Sequence, residues 1–307
     1  MRDIALVGIG KIATDQHVPA LAASEDWRLV ATVSRSGTVE GVEAFTDFDA
    51  FLEGRPEVGT VSLCLPPVPR YAYAEAALRA GRHVMLEKPP GATLAEVQAL
   101  ARLADEAGLT LYATWHSRMA PGVAPARDWL ADKRIERVAI DWREDVRRWH
   151  PGQEWVFEPG GMGVFDPGIN ALSILTAILP FDIHVQQATL EVPENRQTPI
   201  GAEIALSGNV RAVFDWRHEG EQTWRIEVDT DAGRLTLSEG GHRLTIDGAE
   251  QGPAAGGAPI PGEYPALYAR MAELVGAGAS DVDLAPMIHV ADAMTLGRRE
   301  TARPFEF

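Results

Sequence analysis

The feature that most restricts what this chain can fold into is a glycine turn set between a strand and a helix. Ile4–Val7 is a short apolar run, and Gly8-Ile9-Gly10-Lys11-Ile12-Ala13 follows it at once. In a Gly-x-Gly-x-x-Ala pattern the first glycine permits a tight turn. The second lets the backbone approach a pyrophosphate, and the alanine allows close helix–strand packing. The free amides at the helix start then face the anion. A glycine turn also serves plain packing, so its meaning depends on the units that follow.

Those units alternate. A helix is expected from Lys11, interrupted near Pro19, because proline lacks a backbone donor. Arg28–Val33 reads as a strand and Asp47–Glu53 as a short helix capped by Thr46 or Asp47. Val58–Leu65 is a strand stopped by Pro66-Pro67, and Tyr71–Ala80 a helix closed by Gly81. His83–Leu86 is a strand leading into Glu87-Lys88-Pro89-Pro90. Thr93 with Glu96 forms a capping box for a helix ending at Gly108, and Leu109–Trp115 is the next strand. The alternation predicts an α/β fold, a doubly wound parallel Rossmann sheet over residues 1–118.

Residues 119–307 read differently. Val123–Lys133 is helical and Arg137–Val146 strand-like. A loop of about 20 residues rich in Trp, Gly and Pro follows, and long loops of that kind are usually functional. Asn170–Leu179 reads as a helix. From Asp182 to Asp247 the apolar residues alternate with period two, as in Ala212/Phe214/Trp216 and Trp224/Ile226/Val228. Gly208-Asn209, Asp231-Ala232-Gly233 and Gly240-Gly241 punctuate this stretch as hairpin turns, which predicts an antiparallel meander. Gly252–Gly262 reads as a linker, and Pro265–Gly276 and Ala285–Arg299 as helices. The expected second domain is α+β with a large, mostly antiparallel open sheet.

Composition narrows the function. The length, 307 residues, suits two domains. With 28 basic against 44 acidic residues the formal charge is -16. Such a surface repels phosphate backbones and anionic lipid, so nucleic-acid and membrane partners are not expected. The single cysteine, Cys64, sits in the run Val-Ser-Leu-Cys-Leu, as in a buried strand, and cannot form an internal disulfide. With no secretory leader and no run of ~20 apolar residues, a cytoplasmic location is expected. No His-x-x-x-His or His/Cys cluster suggests a metal site.

The end of the second strand bears on the choice of dinucleotide. It reads Thr32-Val33-Ser34-Arg35, while Glu25 and Asp26 lie at the strand's other end. No carboxylate is placed to repel a 2′-phosphate, and Ser34 and Arg35 can bind one. NADP is expected as the preferred cofactor, with NAD accepted. Gly8, Gly10, Lys11 and Ile12 of the turn complete the expected contacts.

Three features now converge: the glycine turn, Glu87-Lys88-Pro89 after a strand, and Asp166 with Asn170. Together they resemble the Gfo/Idh/MocA family of oxidoreductases across essentially the whole chain. The segment Glu144-Asp-Val-Arg-Arg-Trp-His150-Pro-Gly-Gln-Glu-Trp155, with Gly163-Val-Phe-Asp166-Pro-Gly-Ile-Asn170, is similar to the bacterial L-arabinose 1-dehydrogenase and D-galactose 1-dehydrogenase subgroup. The resemblance implies NAD(P)-dependent oxidation of the anomeric carbon of an aldopyranose to its lactone by hydride transfer. It adds Pro66, Glu87 and Lys88 to the cofactor contacts, and has Lys88 bridge the nicotinamide ribose and the substrate hydroxyl.

The residues carry a reading of their own. Lys88 is a long donor whose backbone is stiffened by two prolines. Asp166 and Asn170 are spaced to share one helix face, with Pro167 favouring the first turn. A carboxylate and an amide can thus grip one hydroxyl, and Asp166 can take its proton. Much of the resembled family has histidine where this chain has Asn170, and an amide takes no proton at neutral pH. The base therefore stays open among Asp166, His150 and Lys88, with Asp166 favoured. Glu144 and His150 are candidate partners of sugar hydroxyls. Trp149, Trp155 and Trp224 are candidate faces for a pyranose, and His116 is a further substrate candidate. Arg70 is given no role. Alternatives keep the fold with another polyol, ketose or dihydrodiol as substrate, or a non-catalytic dinucleotide-binding regulator. The regulator would have lost Lys88 or Asp166, and both are present. The exposed face of the antiparallel sheet is a candidate surface for self-association.

Replacing Arg35 by alanine should weaken NADP by about tenfold, the size of one lost charge-assisted contact, and NAD far less. Fluorescence titration with each dinucleotide checks this, and equal losses would remove Arg35 from the cofactor site.

Overall fold

The computed structural model describes residues 1–252 and 262–307. The chain divides into two compact units, Met1–His116 with Pro261–Asp283, and Ser117–Ile260 with Leu284–Phe307.

In the first unit six strands are described: β1 (Arg2–Val7), β2 (Trp27–Val33), β3 (Glu43–Phe45), β4 (Thr60–Leu63), β5 (His83–Leu86) and β6 (Leu111–Ala113). They lie in the order β3-β2-β1-β4-β5-β6, every pair parallel. Ile4, Ala5, Leu6 and Val7 are sealed from solvent, as a strand covered on both faces must be. The order reverses between β1 and β4, where open α/β sheets bind ligands beyond the strand ends. The helices are α1 (Val18–Ala22), α2 (Phe48–Gly54), α3 (Pro67–Arg79) and α4 (Leu94–Ala107).

Several local expectations change here. The stretch after the glycine turn is not interrupted at Pro19. Ala13–His17 is a π-helical segment that runs into α1, and Pro19 sits in the first turn of α1, where its missing donor costs nothing. β3 is an added edge strand with little apolar content to signal it. α3 starts at Pro67, ahead of Tyr71, because prolines are tolerated in a first helical turn. Cys64 lies just past β4 and is half-buried. α4 has its full capping box, Thr93 and Glu96 each accepting the other's backbone N–H, and closes on Gly108 at φ 64°.

In the second unit come α5 (Val123–Leu130), β7 (Ile135–Arg143), α6 (Val146–Trp149) and α7 (Phe165–Ile178). Next are β8 (Val185–Pro193), β9 (Gly201–Leu206), β10 (Val210–Asp215), β11 (Thr223–Thr230), β12 (Gly233–Ser238), β13 (Arg243–Ile246) and β14 (Ala249–Glu250). The linker expected over Gly252–Gly262 lies, apart from its end residues, outside the described residues. α8 (Glu263–Ala277) then belongs to the first unit, not to the second as the cut near 118 expects. Its spacing explains this: Tyr264, Leu267, Tyr268, Met271 and Leu274 form one buried stripe, and the Tyr268 carbonyl accepts the Trp27 indole N–H at 2.8 Å. α9 (Ala285–Leu296) and β15 (Arg298–Ala302) complete the second unit. β15 replaces the end of the expected last helix. A Cβ on Gly297 would press on Leu190 at 2.7 Å, so glycine is what lets the chain turn onto β8.

The sheet order is β14-β13-β12-β11-β7-β10-β9-β8-β15. Pairing is antiparallel except at β7/β10 and β8/β15. The meander is thus split: β7 enters between β10 and β11. Its inward residues Val138, Ile140 and Trp142 face Val210, Ala212 and Phe214 on one side and Val228, Ile226 and Trp224 on the other. The expected long loop holds α6 and a 3-10 turn at Glu154–Phe157. α7 begins at Phe165 rather than Asn170. It sits down on the sheet at Gly168, where a Cβ would lie 3.0–3.3 Å from the Phe214 ring. Among the described residues no helix is long and apolar enough to cross a membrane.

Gly168→Ala should therefore cost about 1–3 kcal/mol by overpacking. Urea unfolding measures it, and an unchanged midpoint would mean that α7 does not bear on Phe214.

Candidate active site

In the first unit Gly8 adopts φ +89°, and a Cβ there would lie 3.0–3.2 Å from Leu65 and the Cys64 carbonyl carbon. Its amide donates to Val33 O at 2.8 Å. The turn is thus locked between β2 and the segment after β4. At Gly10 the opposite holds, with no heavy atom within 4 Å of a Cβ position. Ile12 is 39% exposed, and Lys11 is exposed and paired with Asp15. Ser34 Oγ accepts the Gly37 N–H at 3.2 Å, and Arg35 is exposed. Gly37 was not legible as a site residue. A Cβ on it would meet Ile9 O at 2.3 Å, so the loop carrying Ser34 and Arg35 rests on the glycine turn itself. Pro66 is exposed at the N-cap of α3.

Lys88 stands on a buried polar frame. Glu87 is 5% exposed, and its Oε1 lies 2.9 Å from His17 Nε2 and 2.8 Å from the donating Tyr264 hydroxyl. Its Oε2 accepts the Lys88 backbone N–H at 2.7 Å. The Glu87 carboxylate therefore faces inward and braces the backbone of Lys88. Arg70, given no role from the sequence, donates to the carbonyls of Leu65, Glu87 and Pro89, and so ties the segment after β4 to the lysine loop. His17 Nδ1 lies 2.6 Å from the Tyr268 hydroxyl, which donates on to Ser62 Oγ at 3.3 Å. His116 stacks on Tyr264, its Nδ1 2.8 Å from Glu263 Oε2.

Electrostatics fixes the charge state of this frame. Burial alone would push the His17 imidazolium down, but Cys64, Tyr268 and Glu87 push it well above the ordinary histidine value. Burial would likewise raise Glu87, yet the hydrogen bond and charge of His17, with His116 and Tyr264, hold its carboxyl well below the usual range. Burial and the Glu87 charge push the Tyr264 phenol up. The core of the first unit thus holds an imidazolium–carboxylate pair.

The second unit gathers the other candidates. Asp166 lies in the first turn of α7, where the helix dipole favours a carboxylate. Its entry is fixed by backbone: Asp166 N donates to Gly163 O at 2.8 Å and Val164 N to Pro199 O at 2.7 Å. Asp166 Oδ2 is 3.0 Å from His150 Nε2. His150 Nδ1 lies 3.2 Å from Gln153 Oε1, which accepts the Trp155 indole N–H at 3.0 Å. Glu144 is buried, its oxygens accepting the indole N–H groups of Trp216 at 3.1 Å and Trp224 at 2.9 Å. Trp149 donates to Gln222 and leans on Trp224, with ring centroids 5.8 Å apart. Asn170 is half-buried one turn after Asp166 on α7, and its carbonyl accepts the Ser173 hydroxyl at 2.7 Å. Lys88 belongs to the first unit; Asp166, Asn170, Glu144, His150, Trp149 and Trp224 to the second.

Comparison with known proteins places this geometry. Residues 2–114 match the model of the GFO_IDH_MocA oxidoreductase family, NAD-binding Rossmann fold. A galactose 1-dehydrogenase of Pseudomonas fluorescens is 44% identical over 306 residues, covering 98% of each chain. The chain belongs to the Gfo/Idh/MocA oxidoreductase family. The crystal structure of a D-galactose 1-dehydrogenase from Rhizobium etli superposes with a TM-score of 0.94 at 51% identity, over 99% of this chain and 97% of that one. A 3-ketoreductase from Actinomadura kijaniata, solved with NADP, shares the fold with a TM-score of 0.81 at 21% identity, over 98% and 99% of the two chains.

This Gfo/Idh/MocA protein is an NAD(P)-dependent oxidoreductase, and its first unit fits the dinucleotide. Gly8 takes a backbone angle that side chains avoid, and Gly10 leaves its flank open to a pyrophosphate. The residues of these hydrogen-bonded frames that the sequence did not yield are His17, Arg70, Tyr264, Tyr268, Gln153 and Trp216. His17 had a local signal, its place on the helix that leaves the glycine turn; the others meet their partners only through tertiary contact.

The His17–Glu87 pair makes stability depend on pH in a stated direction. The raised His17 adds stability below its unfolded value near 6.5, lost as pH rises through the folded value. The lowered Glu87 adds stability above its unfolded value near 4.5, lost as pH falls through the folded one. His17→Gln should destabilise by about 3–5 kcal/mol where both contribute, between those values, because it strands a buried carboxylate. Urea titrations across the pH range should show that deficit shrink at alkaline pH. A pH-independent deficit would mean that His17 is buried neutral.

Proposed function

We propose that the protein oxidises the anomeric carbon of an aldopyranose of the D-galactose or L-arabinose type to its lactone, with NADP preferred over NAD. The observation that carries the reading is the Asp166–His150 contact at the start of α7, a carboxylate and an imidazole 3.0 Å apart. It is supported by the 44% identity to a galactose 1-dehydrogenase along nearly the whole chain. The bound dinucleotide supplies an acceptor for the hydride that leaves C1.

The chain's own groups do the rest. Asp166 with His150 receives the proton of the C1 hydroxyl as its O–H bond breaks and the lactone C=O forms. Asn170, one turn along α7, offers an amide to orient that hydroxyl. Lys88, its backbone pinned by Glu87 and Arg70, is the second donor to the hydroxyl. Glu144 takes a positioning part, since it fixes the Trp216 and Trp224 indoles, and Trp224 with Trp149 offers aromatic surface to a sugar ring. His116 is held by Glu263 and is kept as a substrate-side candidate. NADP preference rests on Ser34 and Arg35 and on the lack of an acidic residue at the end of β2. The proposal extends to self-association through the outward face of the large sheet, where Asp141, Val213, Glu203 and Thr189 lie in one cross-strand row. The half-buried Cys64 thiol suits a reducing, cytoplasmic setting.

Asp166→Ala should lower kcat by at least about 100-fold, the scale of a lost general base, and leave NADPH binding nearly intact. Initial rates with D-galactose, L-arabinose, D-fucose and D-xylose, each with NADP and NAD, test the reading. It fails if no aldose reduces either dinucleotide, or if the alanine variant keeps its turnover.

A further inference from the structure

The loop between β2 and β3 in the first unit is fixed at both ends and touched once in its middle. Its ends are set by the parallel pairing of Ala31 with Glu43 and of Val33 with Phe45, and Ser34 N donates to Phe45 O at 2.9 Å. Between them, Gly37 meets the glycine turn. A Cβ on Gly37 would lie 2.3 Å from Ile9 O, 2.7 Å from Ile9 Cβ and 2.9 Å from Ile9 Cγ2. Gly37 is not among the glycines with positive φ, so lack of space, not backbone angle, excludes a side chain there. Gly41, further along the same loop, is the reverse case, with φ +75° and nothing within 4 Å of a Cβ position.

Of the two surfaces at this contact, the turn is the one that cannot retreat. Ile9 follows Gly8, whose amide donates to Val33 O at 2.8 Å and whose own Cβ position already presses on Leu65 and Cys64. A side chain at position 37 therefore moves the loop, by about 1 Å before ordinary van der Waals contact is restored. The residues that move with it are the ones that bear on the cofactor. Gly37 N–H donates to Ser34 Oγ at 3.2 Å, and the exposed Arg35 lies between the two in the chain. A hydroxyl that accepts from Gly37 keeps its own hydrogen to donate, which suits Ser34 to a phosphate oxygen.

We infer that Gly37 is a positioning residue for the dinucleotide: its close approach to Ile9 sets the distance between the turn that takes the pyrophosphate and the Ser34–Arg35 segment that takes the 2′-phosphate. The inference rests on the proposed NADP preference for the part played by Ser34 and Arg35. Its physical core is a matched spacing. The pyrophosphate and the 2′-phosphate of NADP hang from one ribose, so their separation belongs to the ligand, and a protein that grips both holds its two anion sites to suit. Hydrogen bonds to phosphate weaken steeply once stretched past about 3.2 Å, so a shift of about 1 Å in one site is enough to lose them. NAD carries a neutral hydroxyl in place of that phosphate, makes no charge-assisted contact with the loop, and depends less on where the loop stands.

The test is a titration of the full-length protein with NADPH and with NADH, followed by fluorescence, for wild type, Gly37→Ala, Arg35→Ala and the double variant. The readout is the ratio of the two dissociation constants, which a general loss of stability does not move. Gly37→Ala should weaken NADPH about tenfold, the size of one displaced charge-assisted contact, and NADH less than about twofold. Gly37→Ser brings the same Cβ and should repeat the result. In the Arg35→Ala background, Gly37→Ala should leave the ratio within about twofold, because the contact that it displaces is already gone. A ratio unmoved by both Gly37 variants, whether the two dinucleotides bind as before or lose equally, would overturn the inference. So would a shift of the same size with and without Arg35. The ratio in the wild type tests the NADP preference separately: a value near one overturns that preference, while the change on substitution still decides the part of Gly37.

Discussion

A carboxylate sealed in a protein interior must find a positive partner or give up its charge, because the desolvation cost of an unpaired ion is several kcal/mol. In this chain Glu87 meets that demand through His17. One oxygen takes the imidazolium and the Tyr264 hydroxyl, and the other takes the backbone N–H of Lys88. The ion pair and the placement of the lysine are thus one structure. His17 comes from the helix that leaves the glycine turn, and Tyr264 from α8, far along the chain. The dinucleotide turn, the lysine loop and the returning helix are pinned to one buried charge. This also explains why 261–283 rejoins the first unit: without Tyr264 and Tyr268 the His17–Glu87 pair would lack the hydroxyls that finish its hydrogen bonding.

The second unit handles its buried carboxylates differently, and the contrast separates scaffold from chemistry. Glu144 is met by two indole N–H groups, neutral donors that carry no titrating proton. Such a carboxylate holds the tryptophans in place. Asp166 instead faces an imidazole, a group that titrates near neutrality. Of the two, Asp166 is the one that the proposed function makes the base. Burial of both shows that burial alone does not mark a base.

What the sequence made legible follows from range. The glycine turn, the Thr93–Glu96 capping box and the Gly108 stop are settled by neighbours within a few residues, and they stand as read. Asp166 and Asn170 share a helix because four-residue spacing is local geometry, although α7 starts earlier than its apolar pattern suggested. The readings that changed depend on contacts across long separations. β7 splits the meander because its inward face matches β10 and β11, which no periodicity within Asp182–Asp247 reveals. Arg70 looks like an ordinary helix arginine until three carbonyls from two loops converge on it. Glu87 sits next to Lys88 in sequence, but its inward partners, His17 and Tyr264, come from far along the chain.

The amide at position 170 gives the proton question its shape. A histidine there would have been a base on α7 itself; an asparagine can orient a hydroxyl but cannot take its proton. In the proposed function the burden passes to Asp166, whose place at the positive end of α7 by itself favours the anion and so weakens it as a base. His150, 3.0 Å from that carboxylate, is the neighbouring group able to share a proton with it. An anomeric hydroxyl is more acidic than an ordinary alcohol, so the proposed reaction asks less of its base. Asn170 one turn from Asp166 therefore fits the anomeric hydroxyl of the proposed reaction.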